Sequence, residues 1–313
     1  MIISNYLLPL AIFISTSSQT EAFGVARKNS LVPTTSTLFM SSKASSSPMQ
    51  VTKDGVYIVD TMPDSLPELK NTYCILRHGQ SEGNVEGVIS SARSLATSEK
   101  HGLTDLGYEQ GVNSAADLIT LLENELIKKV AKDDDDAVAR KLYFYSSPFA
   151  RARQTAEACL DGIGKEENQA KLQDLNLDIQ KDVIIEDGLM ERFFGDLDAL
   201  PLTTYAYVWP EDMKDVTQTG KYNVESVAAV STRLREVIMK IEHSDLHKEG
   251  DIVILASHAD VCQILQLYAS GIGNVGEFSS YRFGNGEVRF MGRTPDILPK
   301  PQPLEMPEAM PEV

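Results

Sequence analysis

The sequence predicts an α/β fold, a three-layer sandwich with a mostly parallel central sheet covered by helices on both faces. Two observations lead to this fold class. Short apolar runs typical of buried strands alternate along the chain with longer segments of helical periodicity. These runs are almost continuously apolar, as in parallel sheets whose two faces are both covered. We expect the fold to occupy residues 72–293.

The individual elements follow from where these patterns begin and end. Thr104 is a suitable N-cap for the first long helix, whose apolar stripe continues through Leu118 and Leu122. The polar segment 161–182 shows neither pattern and is expected to form an exposed excursion. The predicted strands are 72–76, 141–146, 182–186, 251–256 and 287–291. The other predicted helices are 149–160, 224–242 and 260–269.

Both ends of the chain are predicted to lie outside this fold. Residues 1–22 contain the apolar run LLPLAIFI followed by small and polar residues, which indicates a signal peptide. Residues 23–47 begin with Phe23, are rich in Ser and Thr and contain no acid, which is typical of a transit peptide. Together they resemble the bipartite presequence of algae with secondary plastids, so we expect a plastid location, with a secreted or endomembrane protein as the alternative. Residues 48–71 are predicted to be a linker, and the Pro-rich residues 294–313 a disordered tail.

The composition limits the kind of partner. A formal net charge of −16 argues against a nucleic acid or an anionic membrane as the main partner. We therefore expect no nucleic-acid binding, and no stable membrane association once the presequence is removed. The three cysteines have neither zinc-site nor disulfide-framework spacing, which predicts reduced, buried thiols. The sequence leaves the oligomeric state open.

Charged side chains follow three of the predicted strands. Arg77 and His78 come directly after the first strand. Arg151 lies where a helix begins after the second strand, and His258 follows the most apolar strand. In a parallel sheet the carboxyl ends of the strands meet at one edge, and ligands bind there. Because guanidinium groups suit phosphate and a neutral imidazole can attack phosphorus, we predict a pocket for a small phosphorylated substrate at this edge.

Five ordered segments carry a family resemblance. The first is RHGQSEGN at 77–84, and the others are LTDLGYEQG at 103–111, SPFARARQTA at 147–156, LMERFFGDLD at 189–198 and VILASHADV at 253–261. The first segment matches the RHG-x4-N signature of the histidine phosphatase superfamily, in its phosphoglycerate mutase-like group, and the other four resemble further motifs of that family. The resemblance covers about Thr72 to Gly292.

The resemblance implies a role for each matching residue. His78 is the residue that becomes phosphorylated, and Glu191 is the acid that protonates the leaving oxygen, because an alkoxide leaves poorly without a proton. Arg151 rather than Arg153 matches the family's arginine. The catalytic set is completed by Arg77 and His258, and the residues expected to bind substrate are Ser81, Asn84 and Arg192. No metal ion or other cofactor is expected.

The implied function is hydrolysis of a phosphomonoester through a phosphohistidine intermediate, with a small phosphorylated metabolite as substrate. The first alternative is a cofactor-dependent phosphoglycerate mutase. Such mutases carry a tryptophan immediately before the signature asparagine, where this chain has Gly83, and this difference favours hydrolysis. The second alternative is an inactive phosphate-binding regulatory module, which would have lost His78, Glu191 or His258, and all three are present.

Two features of the sequence bear on the substrate without identifying it. Ala259 and Asp260 stand where many family members have two glycines, and the charge of Asp260 disfavours a second anionic group nearby. The loops at 85–102 and 196–223, which are expected to choose the substrate, contain no recognisable motif. Phosphosugars, phosphoglycerates and phosphoproteins therefore all remain candidates.

Overall fold

The structure is a computed structural model that describes residues 50–51, 56–95, 98–130, 139–310 and 313. The predicted signal peptide at 1–22 and the predicted transit segment at 23–47 lie outside the described residues. Among the residues that are described, no helix is both long enough and apolar enough to span a bilayer.

The described chain alternates strands and helices, as the sequence predicts. The strands are β1 Gln50–Val51, β2 Tyr57–Ile58, β3 Thr72–Arg77, β4 Arg140–Ser146, β5 Leu177–Ile185, β6 Ile252–Ser257 and β7 Val288–Phe290. The α-helices are α1 Glu82–Glu86, α2 Asp105–Val130, α3 Ala150–Ile163, α4 Glu166–Asp174, α5 Trp209–Asp212, α6 Val227–Glu242 and α7 Ala259–Ser270. Thr104 caps α2 as predicted, because its hydroxyl accepts a hydrogen bond from the Gly107 N–H at 3.1 Å.

Within the described residues the central sheet has five strands, in the order β5-β4-β6-β3-β7. The four strands β5, β4, β6 and β3 are parallel to their neighbours, and the edge strand β7 runs antiparallel to β3. Because β3 and β6 are adjacent and parallel, their carboxyl ends lie side by side at one edge of the sheet. The predicted fold class is confirmed.

Side chains of the central strands alternate between two hydrophobic cores, one on each face of the sheet. Tyr73 and Ile75 of β3 belong to the core that contains α6 and α7. Cys74 and Leu76 belong to the opposite core, which contains α2 and α3. Burial on both faces explains why β3 and β6 are continuously apolar in sequence. All three cysteines are buried, as predicted.

The segment 161–182 differs from its prediction as an exposed excursion, because it contains α4 and the first part of β5. The buried residues of α4 are only Asn168 and Leu172, so its apolar stripe is too sparse to be recognised in the sequence. β5 is an edge strand paired with β4, and an edge position accepts exposed charged residues such as Asp178 and Lys181. The charged residues that suggested a loop therefore lie on a helix and an edge strand.

The predicted linker is attached to the domain by hydrogen bonds to its backbone. The hydroxyl of Tyr268 on α7 donates to the carbonyl of Asp64. The guanidinium of Arg293 donates to the carbonyls of Leu66 at 2.7 Å and Pro67 at 2.9 Å. Residues 64–67 therefore lie against the domain that follows them.

The described part of the tail, predicted to be disordered, follows a defined path against the domain. It contains a 3-10 turn at Pro295–Ile297. The Gln302 N–H then donates to the carbonyl of Ser280 at 2.7 Å, and Arg282 donates to the carbonyl of Pro303 at 3.4 Å. A Pro-rich segment lacks many N–H donors but keeps its carbonyl acceptors, so it can be held by side chains of the domain.

Candidate active site

The carboxyl ends of β3 and β6 bring the two histidines together. Arg77 and Ser257 are partners in the parallel register, and the His78 N–H donates to the Ser257 carbonyl at 2.9 Å. The chain leaves the sheet at this point in both strands. The rings of His78 and His258 consequently lie edge to face, with their centroids 5.2 Å apart.

His78 is held as a neutral imidazole with one nitrogen directed away from its backbone. Its Nδ1 lies 2.6 Å from the carbonyl of Gly79, and because a carbonyl only accepts, Nδ1 carries the ring proton. The lone pair is therefore on Nε2. Burial lowers the pKa of His78 well below its usual value, and the positive charges of Arg151 and Arg77 lower it further. A neutral ring with a free Nε2 lone pair is the form that can act as a nucleophile.

Gly79 is required by a close backbone approach. A Cβ at this position would lie 2.2 Å from the carbonyl oxygen of Gly107 on α2, which no side chain can occupy. The Gly79 N–H donates to the hydroxyl of Thr155 on α3 at 3.0 Å. The loop after β3 is therefore anchored between two helices, and this contact fixes the position of the His78 ring.

His258 is oriented by a serine at the end of β4. Its Nε2 lies 2.8 Å from the hydroxyl oxygen of Ser147, and that oxygen accepts a hydrogen bond from the Phe149 N–H at 3.3 Å. This arrangement favours donation of the serine proton to Nε2, with the ring proton on Nδ1. Among the described residues, Nδ1 has no hydrogen-bond partner. Because burial, followed by the charge of Arg151, also lowers the pKa of His258, the neutral ring can donate into the pocket.

Two buried arginines supply the positive charge of the pocket. Arg151 donates to the carbonyl of Ser90 at 2.8 Å, and Arg77 donates to the carbonyl of Phe283. Neither guanidinium is ion-paired to a carboxylate within the described part of the chain, and the Nε–H of Arg77 has no partner there. Their charge is therefore available to an anion. Arg153 instead lies partly exposed and pairs with Glu99 at 2.7 Å.

Glu191 lies next to His258, on a loop whose backbone is held by hydrogen bonds. Its Oε2 is 3.8 Å from His258 Nδ1, and its Oε1 accepts the Arg192 N–H at 2.9 Å. Arg93 donates to the Glu191 carbonyl at 2.7 Å, which fixes the backbone. Burial, and then the nearby charge of Asp260, raise the pKa of Glu191 to about 7. A carboxyl group with this pKa can donate a proton near neutral pH.

Ser81 and Asn84 line the pocket and form the first turn of α1. The Ser81 hydroxyl accepts the Asn84 N–H at 3.3 Å, and the Asn84 amide oxygen accepts the Ser81 N–H at 3.1 Å. This capping box uses the oxygen of the Asn84 amide. Its NH₂ group remains to donate to a ligand in the pocket.

The prediction that Arg192 contacts substrate is corrected by the structure. The side chain of Arg192 is fully buried behind the pocket and does not line it. Its guanidinium binds both carboxylate oxygens of Asp212, at 2.7 and 2.8 Å, and donates to the Glu225 carbonyl at 2.6 Å. It also lies 3.5 Å from a carboxylate oxygen of Asp260, which does line the pocket. Arg192 therefore supports the pocket wall.

Replacing Asp212 by asparagine is expected to lower the free energy of unfolding by about 3–5 kcal/mol, because the buried guanidinium of Arg192 loses its main counter-charge. Urea denaturation followed by circular dichroism measures this change. Glu211→Gln is the matched control, since its partner Lys214 is exposed and such a pair contributes only about 0–1 kcal/mol. Similar values for the two variants would contradict this account of Arg192.

The pocket has a cavity volume of about 340 Å³ and includes residues that the sequence does not single out. These additional lining residues include Ser90, Tyr205, Trp209, Gln263, Arg282 and Glu305. Ser90, Tyr205 and Trp209 lie in the two loops that were expected to choose the substrate. Gln263 lies three residues after Asp260 on α7, so helical spacing places both on one face. Glu305 belongs to the tail, and nothing in the sequence indicates that it reaches the pocket.

Three potential metal ligands also meet here. One ligand atom each of His78, Glu191 and His258 lie within 4.8 Å of one another. The guanidinium groups of Arg77 and Arg151 line the same pocket, and their charge opposes a cation and favours an anion. This donor set therefore fits a phosphoryl group better than a metal ion.

Comparison with known proteins gives a family match. The model of the histidine phosphatase superfamily (branch 1) matches residues 73–296. The mycobacterial glucosyl-3-phosphoglycerate phosphatase in complex with VO3 is 18% identical over 69% of this chain and 88% of its own, with a TM-score of 0.48. The alpha-ribazole phosphatase from Shigella flexneri is 24% identical over 69% of this chain and 88% of its own, with a TM-score of 0.43. No curated protein matches the chain significantly.

Proposed function

This chain belongs to branch 1 of the histidine phosphatase superfamily, and we propose that it hydrolyses small phosphomonoesters through a phosphohistidine formed at His78. The observation that carries the proposal is the state of His78. Its ring is neutral, its Nε2 lone pair is free, and beside it lie two guanidinium groups that pair with no carboxylate of the described residues. This combination attracts a phosphate and presents a nucleophile to it.

The first half-reaction transfers the phosphoryl group to the enzyme. Nε2 of His78 attacks phosphorus, the new P–N bond forms, and the P–O bond to the leaving group breaks. Arg77 and Arg151 neutralise the phosphoryl oxygens, and Nδ1–H of His258 donates to one of them as charge moves onto it. The protonated Glu191 gives its proton to the leaving oxygen, so the product departs as an alcohol.

The second half-reaction regenerates the enzyme. Glu191, now a carboxylate, takes a proton from a water molecule as the water oxygen attacks phosphorus. The P–N bond breaks, inorganic phosphate is released, and Nε2 of His78 regains its lone pair. Both side chains then return to their starting protonation states, so the same pair of groups serves each turnover.

The wall of the pocket that α7 forms favours hydrolysis over mutase activity. A mutase must hold a second anionic group while the phosphoryl group is on the enzyme. Asp260 lines the pocket at only 3% exposure, and its carboxylate would repel such a group. An assay that offers a phosphoglycerate and water together distinguishes the two, because a mutase returns the phosphoryl group to the phosphoglycerate.

We expect the purified protein to release phosphate from phosphomonoesters with and without EDTA, because the proposed chemistry uses no metal ion. A panel of sugar phosphates, phosphoglycerates, aryl phosphates and phosphopeptides, assayed for inorganic phosphate, tests this and ranks the substrate classes. Loss of activity in EDTA that Mg²⁺ or Zn²⁺ restores would contradict the proposal. Absence of phosphate release from the whole panel would favour the regulatory-module alternative.

We also propose a plastid location, no nucleic-acid binding and no stable membrane association once the presequence is removed. The signal-like residues 1–22 and the transit-like residues 23–47 support the location, and the net charge of −16 supports the absence of nucleic-acid and membrane partners. Imaging of the full chain fused to a fluorescent protein at its C-terminus, beside a fusion that lacks residues 1–47, tests the location. Secretion of the full-length fusion would support the alternative presequence.

A further inference from the structure

Tyr205 lies in the 3-10 segment Leu202–Tyr207 and packs against two aromatic rings. Its ring stacks on that of Trp209, with centroids 4.5 Å apart and an interplanar angle of 13°. On another side it packs against the fully buried ring of Phe194, with centroids 4.9 Å apart. Contacts with two rings fix the direction in which the phenol points.

The hydroxyl of Tyr205 is a donor without a partner. Tyr205 lines the catalytic pocket, and within the described residues its hydroxyl makes no hydrogen bond. In contrast, the hydroxyls of Tyr73 and Tyr145 bond to Glu242 and His247, at 2.7 and 2.8 Å. Tyr205 is half-buried and its hydroxyl is open to the pocket, so a ligand bound there can accept its hydrogen bond.

The charges around this hydroxyl are those of the catalytic groups. Burial raises the pKa of Tyr205 well above its usual value, Asp260 and Glu191 raise it further, and Arg151 and Arg77 oppose them. These charges therefore act on the hydroxyl, and its raised pKa keeps it protonated at neutral pH. It is a permanent hydrogen-bond donor beside the site of the phosphoryl group.

We propose that Tyr205 is a further catalytic residue, whose hydroxyl donates a hydrogen bond to a non-bridging oxygen of the phosphoryl group held by Arg77 and Arg151. The inference rests on the proposed function of the pocket. No covalent bond to Tyr205 is made or broken. Its contribution is a third kind of donor, after the guanidinium groups and His258, that stabilises the charge of the phosphoryl oxygens during transfer.

Tyr205→Phe tests this role because it keeps the ring, and hence the packing on Trp209 and Phe194, and removes only the hydroxyl. We expect kcat/KM to fall about 10- to 100-fold, as when one donor to a developing oxyanion is lost. The matched control is Tyr207→Phe, which makes the same chemical change in the same segment. Tyr207 packs on Tyr222 and does not line the pocket, so its variant should retain wild-type kcat/KM.

Ligand binding gives a second readout that does not depend on turnover. Trp209 is the only tryptophan in the chain and stacks on Tyr205, so its fluorescence should report binding of orthovanadate, which mimics the five-coordinate phosphorus of the transfer step. The vanadate dissociation constant should rise about tenfold or more in Tyr205→Phe and stay unchanged in Tyr207→Phe. Circular dichroism of each variant establishes that the titrated protein is folded.

Each outcome bears on one claim. Weaker vanadate binding and lower kcat/KM in Tyr205→Phe alone, at an unchanged melting temperature, support the inference. Wild-type vanadate binding and kcat/KM in a folded Tyr205→Phe protein overturn it, and so do equal losses in both variants. If the wild-type protein neither binds vanadate nor releases phosphate, the proposed function itself fails, whatever the variants do.

Discussion

His78→Ala is expected to lower kcat by about 10⁴-fold or more, because it removes the atom that forms the covalent intermediate. The fall should be similar for every substrate, since each substrate must first transfer its phosphoryl group to Nε2. The measurement is phosphate release under saturating substrate, with an inorganic phosphate titration to show that the variant still binds oxyanions.

The matched control for this variant is His243→Ala. His243 is exposed, and its Nδ1 bonds to the carbonyl of Met239 on α6 at 2.7 Å, away from the pocket. The control should keep wild-type kcat. A His78→Ala protein that turns over at more than about a tenth of the wild-type rate would contradict the assignment of the nucleophile.

Glu191→Gln is expected to slow hydrolysis of alkyl phosphates by about 10²- to 10⁴-fold, because the leaving alkoxide then lacks a proton donor. Formation of the phosphoenzyme from aryl phosphates should be affected much less, since a phenolate is a far better leaving group. A comparison of single-turnover rates for one alkyl and one aryl substrate measures the difference. Equal slowing of both would show that Glu191 does not act as the proton donor.

The same carboxyl group sets the pH dependence of the first step. Its pKa, raised to about 7 by burial and by Asp260, means that it is protonated below this pH and ionised above it. Transfer from alkyl phosphates should therefore fall as pH rises through about 7, and this dependence should be absent in Glu191→Gln. His258 lies 3.8 Å from this carboxylate, and the other charged and titratable groups that line the pocket are Arg77, His78, Arg151, Tyr205, Asp260, Arg282 and Glu305.

The Asp260→Asn variant separates the two causes of the raised Glu191 pKa, the charge of Asp260 and burial. Asp260 raises the pKa of Glu191, so removing its charge should move the fall in activity to lower pH. The variant also keeps an acceptor for the indole N–H of Trp209, which donates to an Asp260 carboxylate oxygen at 3.2 Å. An unchanged pH profile would mean that burial alone accounts for the raised pKa.

The position of the histidines could be predicted from sequence because a simple physical rule governs it. Apolar runs before His78 and His258 predict buried parallel strands, and the ends of such strands meet at one edge. The five-stranded sheet, with β3 and β6 adjacent, follows this rule. The close contact of the Gly79 backbone with Gly107 also agrees with motif segments that are adjacent in space although distant in sequence.

The positions of Arg192 and Tyr205 could not be predicted in the same way. Arg192 follows Glu191 directly, which suggested a contact with substrate, but its partner Asp212 ends α5, a single turn that is too short to show helical periodicity. Tyr205 and Trp209 lie in the short helical turns around it, where stacking rather than a sequence motif fixes their positions. Positions set by packing between irregular segments leave no periodic pattern in the sequence.

The path of the tail also could not be predicted from the sequence. Its Pro-rich composition predicts disorder, yet the carbonyl of Pro303 is bound by Arg282 and Glu305 reaches the rim of the pocket. Composition describes how little apolar surface a segment can bury. It does not show which carbonyls meet a donor on the neighbouring domain.

The central claim is that the phosphoryl group passes through Nε2 of His78. The direct test is to mix the protein rapidly with an aryl phosphate and quench the reaction in alkali, which preserves the acid-labile P–N bond. Peptide mass spectrometry then locates the phosphoryl group. The account predicts a transient phosphorylated peptide with the modification on His78, absent in His78→Ala and longer-lived in Glu191→Gln, where water lacks a base. A phosphoryl group on another residue, or continued turnover without any phosphoenzyme, would contradict it.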